Sequence, residues 1–220
     1  MSLEAVVKIG GSLSRGLGLV PLCRAISRLG KDHRLLLVPG GGGFADQVRE
    51  SYRRYGLGET AAHHMALLAM DQYGYLLGHL IDDSSMTADL NDACRIAESG
   101  RAAILLPSVL INEANPLPHS WRVTSDTIAA WIANRIHCPL LVLLKTVDGL
   151  FNSSIEKNSS GKPISEMKVK QLVQHSGGID EYLSRFLLTA ELETWVINGL
   201  RPERLAGLLD SGYAIGTRIR

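Results

Sequence analysis

Lys8 stands two residues ahead of Gly10-Gly11-Ser12, and Pro39 opens a run of four glycines, Gly40-Gly41-Gly42-Gly43, that ends at Phe44. Consecutive glycines reach positive φ and can turn several N–H groups toward one anion, and a helix starting there adds its positive end. Two such nests on neighbouring strands would hold two phosphate groups face to face, with the Lys8 ammonium in reach of both. Phosphoryl transfer needs little else from a protein: in-line positioning, and cations or N–H donors for the charge on the transferring group. On this reading Gly10, Gly11 and Ser12 hold the donor phosphates, and Gly41, Gly42 and Gly43 hold the acceptor phosphate. The plain alternative for each cluster is a tight strand-to-helix turn with no ligand.

The elements that must carry these clusters are legible as alternation. Residues 5–9, 34–38, 102–106, 140–144 and 194–197 are strand-length apolar runs, and most are followed by Gly, Pro or Asp and then an amphipathic segment. Near-continuous hydrophobicity in the runs predicts a mainly parallel sheet covered on both faces, with ligands at the C-terminal strand ends. Helices are predicted over 20–29, 44–55, 59–80, 92–99, 126–136 (with Ser125 as cap) and 179–190, and Pro202 opens a last short one. The polar stretch 152–162 reads as a mobile hairpin or lid.

Composition narrows the function. The chain has 220 residues, one domain's worth of α/β fold, and 45% of them are hydrophobic, which supports a sizeable core. With 23 Lys+Arg against 22 Asp+Glu, no global charge favours nucleic acid or an anionic membrane, so an anion site must be local. Glycine is the one excess, at 22 residues. Cys23, Cys94 and Cys138 show no metal or disulfide spacing and suit a reducing cytoplasm. No signal segment or membrane-length apolar run is evident, so a soluble protein is expected. The P-loop pattern is absent, and Gly40 to Ala45 fits a dinucleotide fingerprint poorly because no acidic residue ends the next strand.

Taken together, Lys8-Ile-Gly-Gly-Ser12, Pro39-Gly-Gly-Gly-Gly43, Thr124-Ser-Asp126-Thr-Ile-Ala-Ala130, Val147-Asp148-Gly149-Leu-Phe151 and Gly216-Thr217-Arg-Ile219 resemble the amino acid kinase superfamily in order and spacing. The resemblance implies a three-layer αβα sandwich around a mainly parallel sheet, and ATP as phosphoryl donor with Mg2+ carried by its phosphates. A homodimer or higher homo-oligomer is also implied. Within the superfamily, Pro118 to Asp126, His64 to Asp71 and Leu105-Leu-Pro-Ser108 resemble the branch that phosphorylates an aminomethylfuran methyl phosphate in methanofuran biosynthesis.

The same resemblance implies roles. Lys8 is the catalytic lysine and Asp126 the aspartate that orients it. Thr146, Asp148, Gly149 and Phe151 surround the nucleotide. Many relatives carry a second lysine three residues beyond a Gly-Gly-Met, but after Gly177-Gly178-Ile179 this chain has Tyr182 at that place. Lys145, at the end of a strand facing the same crevice, is the first candidate to replace it, ahead of Arg185 and Arg122. Asp46 stands where isopentenyl phosphate kinases place a histidine, and could pair with a cationic amine or serve as a first-turn helix charge. His119, Trp121 and Thr124 are candidates for acceptor contacts: a Trp face can stack on a ring, or simply pack in the core.

Overall fold

In the computed structural model, which describes residues 3–152, 162–175 and 177–220, the alternation resolves in chain order. It begins with β1 (Ala5–Ile9), a 3-10 turn (Gly11–Arg15), α1 (Leu19–Asp32), β2 (Leu35–Pro39), α2 (Gly42–Tyr55) and α3 (Glu59–Leu80). Then come β3 (Ser84–Thr87), α4 (Leu90–Glu98), β4 (Ala102–Leu105), α5 (Pro107–Ala114), α6 (Ser125–Arg135) and β5 (Leu140–Lys145). The chain closes with β6 (Glu166–Met167), α7 (Val169–Leu172), α8 (Glu181–Leu187), β7 (Glu193–Asn198), α9 (Pro202–Ser211) and β8 (Gly216–Ile219).

One sheet holds these strands in the order β3-β4-β2-β1-β5-β7-β8-β6, every pairing parallel except β7 with β8. Helices cover both faces, giving the αβα sandwich expected. The apolar runs supply its centre. The strands missed in the sequence are the two edges and one neighbour: β3 is Ser-Ser-Met-Thr and only partly buried, β6 has two residues, and β8, between β7 and β6, is the antiparallel return. Helix α5 was hidden because its apolar start continues the run of β4, and only Pro107 at the first turn marks the change. Most of the segment 152–162 lies outside the described residues.

Each strand distributes its side chains alternately. Ala5, Val7 and Ile9 of β1 join Val142 and Leu144 of β5 in one core with α1 and α9. Val6 joins Leu141 and Leu143 in the other, under α6. Lys8 follows Val6 in that alternation and Lys145 follows Leu143, so both lysines point to the α6 side from adjacent strands. Helix α6 lies close against the sheet because its inner positions include Ala129, Ala130 and Ala133, all fully buried.

At the opposite end of the sheet from the glycine loops, His33 clamps two elements, its Nδ1 lying 2.9 Å from Glu4 and its Nε2 3.0 Å from Asp210 of α9. Burial disfavours the imidazolium, but hydrogen bonds and charge from Glu4 and Asp210 prevail and raise its pKa above the ordinary value. A raised pKa means the clamp's stabilisation is complete below about pH 6.5 and is lost as pH rises through the shifted value. Thermal melts of wild type and His33→Gln should therefore differ by a few degrees at pH 5.5 and converge above pH 8. A constant difference across that range would refute the charged clamp.

Candidate active site

The two glycine loops meet at the C-terminal ends of β1 and β2. Gly10 N–H donates to the Leu144 carbonyl at 2.9 Å and Gly40 N–H to the Ile9 carbonyl at 2.9 Å, extending the sheet by one rung on each strand. This corrects the expectation for Gly10, whose N–H belongs to the ladder rather than to a phosphate. Beyond these rungs the loops touch: a Cβ on Gly11 would lie 2.2 Å from the Gly42 nitrogen, and Gly42 itself has φ +55°. Gly42, Gly43 and Phe44 form the first turn of α2, where N–H groups have no intrahelical acceptor. Ser12 is exposed in the facing 3-10 turn.

Beneath the loops lies a three-membered charge cluster. Lys8 Nζ is 2.7 Å from Asp126 Oδ1, and Lys145 Nζ pairs with Oδ2 of the same carboxylate. Lys8 and Asp126 are buried, and Lys145 is less so, with 17% of its side chain exposed. Burial opposes ionisation of Asp126, yet the ammoniums of Lys8 and Lys145 outweigh it and hold the carboxyl well below the usual carboxylate range. Burial lowers the pKa of Lys8, Asp126 resists that shift, and repulsion from Lys145 adds to it. The site thus concentrates two positive charges on one fixed negative one.

The start of α6, which carries Asp126, is held in turn by Asp180, which sequence reasoning passed over. Asp180 Oδ2 accepts from Thr124 N (3.1 Å), Thr124 Oγ1 (2.8 Å) and Thr127 N (3.0 Å). Its Oδ1 accepts from Thr127 Oγ1 (2.5 Å) and Leu183 N (2.8 Å). One buried carboxylate therefore caps α8 and ties it to the start of α6. The signal was present as a Gly-Gly-Ile-Asp turn followed by Glu181, an N-cap pattern read as part of the helix. The α6 cap is Thr124, not Ser125, since the Thr124 hydroxyl accepts from Asp126 N. With its hydroxyl also donating to Asp180, Thr124 is a positioning residue whose place on the cavity wall is set by that network.

The other predicted residues separate into two regions. Arg122 and Arg185 both pair with Glu181 on the surface, whereas Lys145 reaches Asp126. Tyr182 packs on the core below α6. Thr146, Asp148, Gly149 and Phe151 follow β5 at the same sheet end as Lys8. Asp148 Oδ1 accepts from Asn198 Nδ2 and Arg204, each at 2.8 Å, and these hydrogen bonds lower its pKa against a modest effect of burial. Gly149, at φ +156°, is buried against Thr217 of β8.

A cavity opens between α2, α3 and the start of α6. Its lining includes Gly41, Arg49, Glu59, His63, Trp121 and Thr124, with Leu67, Met70 and Ile128 among its apolar residues. Trp121 meets Tyr52 edge-on at 5.5 Å and carries the Arg49 guanidinium 5.2 Å above its ring. Asp46 does not offer a free carboxylate, because Arg15 and Arg49 both pair with it. His119 is tethered outside the lining, with Nδ1 3.1 Å from Thr60 Oγ1 and Nε2 2.9 Å from Asn115 Oδ1, and it stacks on His63 at 4.4 Å. Burial, then the neighbouring His119 and His64, pull the His63 pKa down to about 4.

A mainly parallel αβα sandwich with facing glycine loops over a Lys-Asp-Lys cluster is the build of a phosphotransferase, and the profile of the amino acid kinase family matches residues 4–197. The chain belongs to that family. It is 28% identical over 216 residues to the (5-(aminomethyl)furan-3-yl)methyl phosphate kinase of Methanocaldococcus jannaschii, covering 97% of this chain and 96% of the relative. It is 24% identical to a uridylate kinase of Thermococcus kodakarensis, over 89% of this chain and 90% of the relative. In fold it resembles the uridylate kinase of Archaeoglobus fulgidus, with a TM-score of 0.79 at 22% identity over 99% of this chain and 100% of that one. Among the described residues no helix is long and apolar enough to cross a membrane.

Proposed function

We propose that this protein is an ATP-dependent kinase that converts a phosphate monoester to a diphosphate, with an aminomethylfuran methyl phosphate as acceptor. The observation that carries this reading is the Lys8–Asp126–Lys145 cluster beneath two touching glycine loops, with a partly apolar cavity on the acceptor side. An acceptor phosphate oxygen attacks the γ-phosphorus, the bond to the β–γ bridging oxygen breaks, and ADP leaves. Lys8 and Lys145 offset the charge that accumulates on the transferring group, while Asp126 and Asp180 hold them at fixed positions.

Gly11 and Ser12 face the donor phosphates, with Thr146, Asp148, Gly149 and Phe151 on the nucleoside side. Gly41, Gly42 and Gly43 face the acceptor phosphate, and Trp121 walls the ring. Mg2+ suits this site as the nucleotide's own counter-ion, since it favours phosphate oxygens and water over an all-protein cage. Among the described residues no group of three or more His, Cys, Asp or Glu is arranged to hold a metal ion, and Asp126 is committed to lysines.

A homo-oligomer and a cytoplasmic setting complete the reading. The outer face of α3 presents Met65, Leu68, Tyr75 and Leu76 to solvent, an apolar stripe that a second copy would cover. The three cysteines are unpaired, in keeping with a reducing compartment.

Incubating the protein with ATP, Mg2+ and a panel of phosphate monoesters, with product masses measured, tests the proposal. Diphosphate and ADP should appear in equal amounts with the aminomethylfuran methyl phosphate. Preferential turnover of uridylate would overturn the acceptor assignment, and ATP binding without turnover of any acceptor would overturn the kinase.

A further inference from the structure

The acceptor cavity contains one carboxylate that nothing else in the described structure engages. Asp46 is held between Arg15 and Arg49, whereas Glu59 has no ion pair or hydrogen-bond partner among the described residues and lines the cavity directly. One turn further along α3, His63 lines the same cavity. Of the three clustered histidines, His64 is bonded to Asn112 and His119 to Thr60 and Asn115, while His63 keeps both ring nitrogens free of hydrogen bonds among the described residues. Stacked against His119 and half-buried, His63 is neutral at physiological pH, so it presents a lone pair and does not neutralise Glu59. Arg49, on the same lining, is the cavity's cation.

We infer that Glu59 and His63 form an ammonium subsite in the acceptor cavity, so that the enzyme selects phosphate monoesters carrying a primary amine. This rests on the kinase reading above. It moves the recognition of the amine from Asp46, which the arginines occupy, to the first turn of α3. An ammonium has three N–H donors, enough to bond the Glu59 carboxylate and the His63 lone pair together. The ordinary role of a first-turn glutamate, complementing the helix dipole, would be indifferent to the charge of the substrate.

The test compares aminomethylfuran methyl phosphate with its analogue in which methyl replaces the aminomethyl group, using wild type, Glu59→Gln and His63→Phe, with calorimetric binding beside turnover. Wild type should prefer the amine by roughly 10- to 100-fold in kcat/KM and in affinity, the worth of a charge-assisted hydrogen bond. In Glu59→Gln that preference should collapse toward unity, chiefly through KM, and in His63→Phe it should fall partway. Equal handling of the two ligands by wild type, or a preference unchanged in Glu59→Gln, would overturn the subsite. If neither ligand is phosphorylated, the kinase reading fails, while the binding preference and its loss in Glu59→Gln still decide the subsite.

Discussion

Lys8→Ala should lower kcat by roughly 100- to 1000-fold, the usual cost of removing one preorganised group that stabilises transition-state charge. The fold should survive. Asp126 keeps Lys145 as its counter-charge, so no buried carboxylate is left unpaired. KM for both substrates should change little, because the proposed role of Lys8 is to offset charge that develops between the phosphates rather than to bind either ground state. Lys145→Ala should cost less than Lys8→Ala, since Lys145 is the more exposed of the pair, and the double variant should fall short of the product of the single losses. Steady-state kinetics with thermal melts decide it. A kcat within tenfold of wild type in Lys8→Ala would remove Lys8 from the chemistry.

Asp126→Asn should be the most damaging isosteric change in the molecule. It leaves two ammoniums facing each other over a neutral amide in a buried site, and breaking such a pairing costs about 3–5 kcal/mol. Asp126 has a depressed folded pKa, so its stabilisation is present above the unfolded carboxyl value of about 3.9 and vanishes only as pH falls through the lower folded value. The deficit of the variant in chemical denaturation should therefore be flat from pH 5 to 8. Activity adds a second readout. Burial already lowers the Lys8 pKa against the resistance of Asp126, so losing that carboxylate should move the alkaline fall in kcat to lower pH. An unshifted alkaline limb with stability intact would show that Asp126 neither charges nor places Lys8.

Much of this site could be read from residue order. The glycine clusters, the apolar runs and the Thr-Ser-Asp helix start located the sheet and the end of it where the glycine loops and the lysines meet, because these depend on local backbone chemistry and on the period of two along a strand. What stayed hidden depends on contacts distant in sequence. Asp180 is 54 residues from Asp126, and only the packing of α8 against α6 shows that it caps one helix and ties it to the start of the other. Asp46 looked available because the sequence does not reveal that Arg15, across the glycine loops, reaches it. Gly10 looked like an anion donor because a ladder rung to Leu144 cannot be told from a nest without knowing that β5 lies beside β1. Edge strand β3 was invisible for a different reason: half-exposed, it has no need of apolar residues.

The contact between Gly11 and Gly42 sets how such a protein can diversify. The two glycine loops abut through main chain, with no room for a side chain between them; under the proposed function, the separation of the reacting phosphates would be independent of the residues that wall the cavity. Those wall residues are then at liberty to drift and recruit new acceptors without retuning the reaction geometry. A lineage built on this contact can exchange one small phosphorylated molecule for another by substitutions on α2, α3 and the loop before α6 alone.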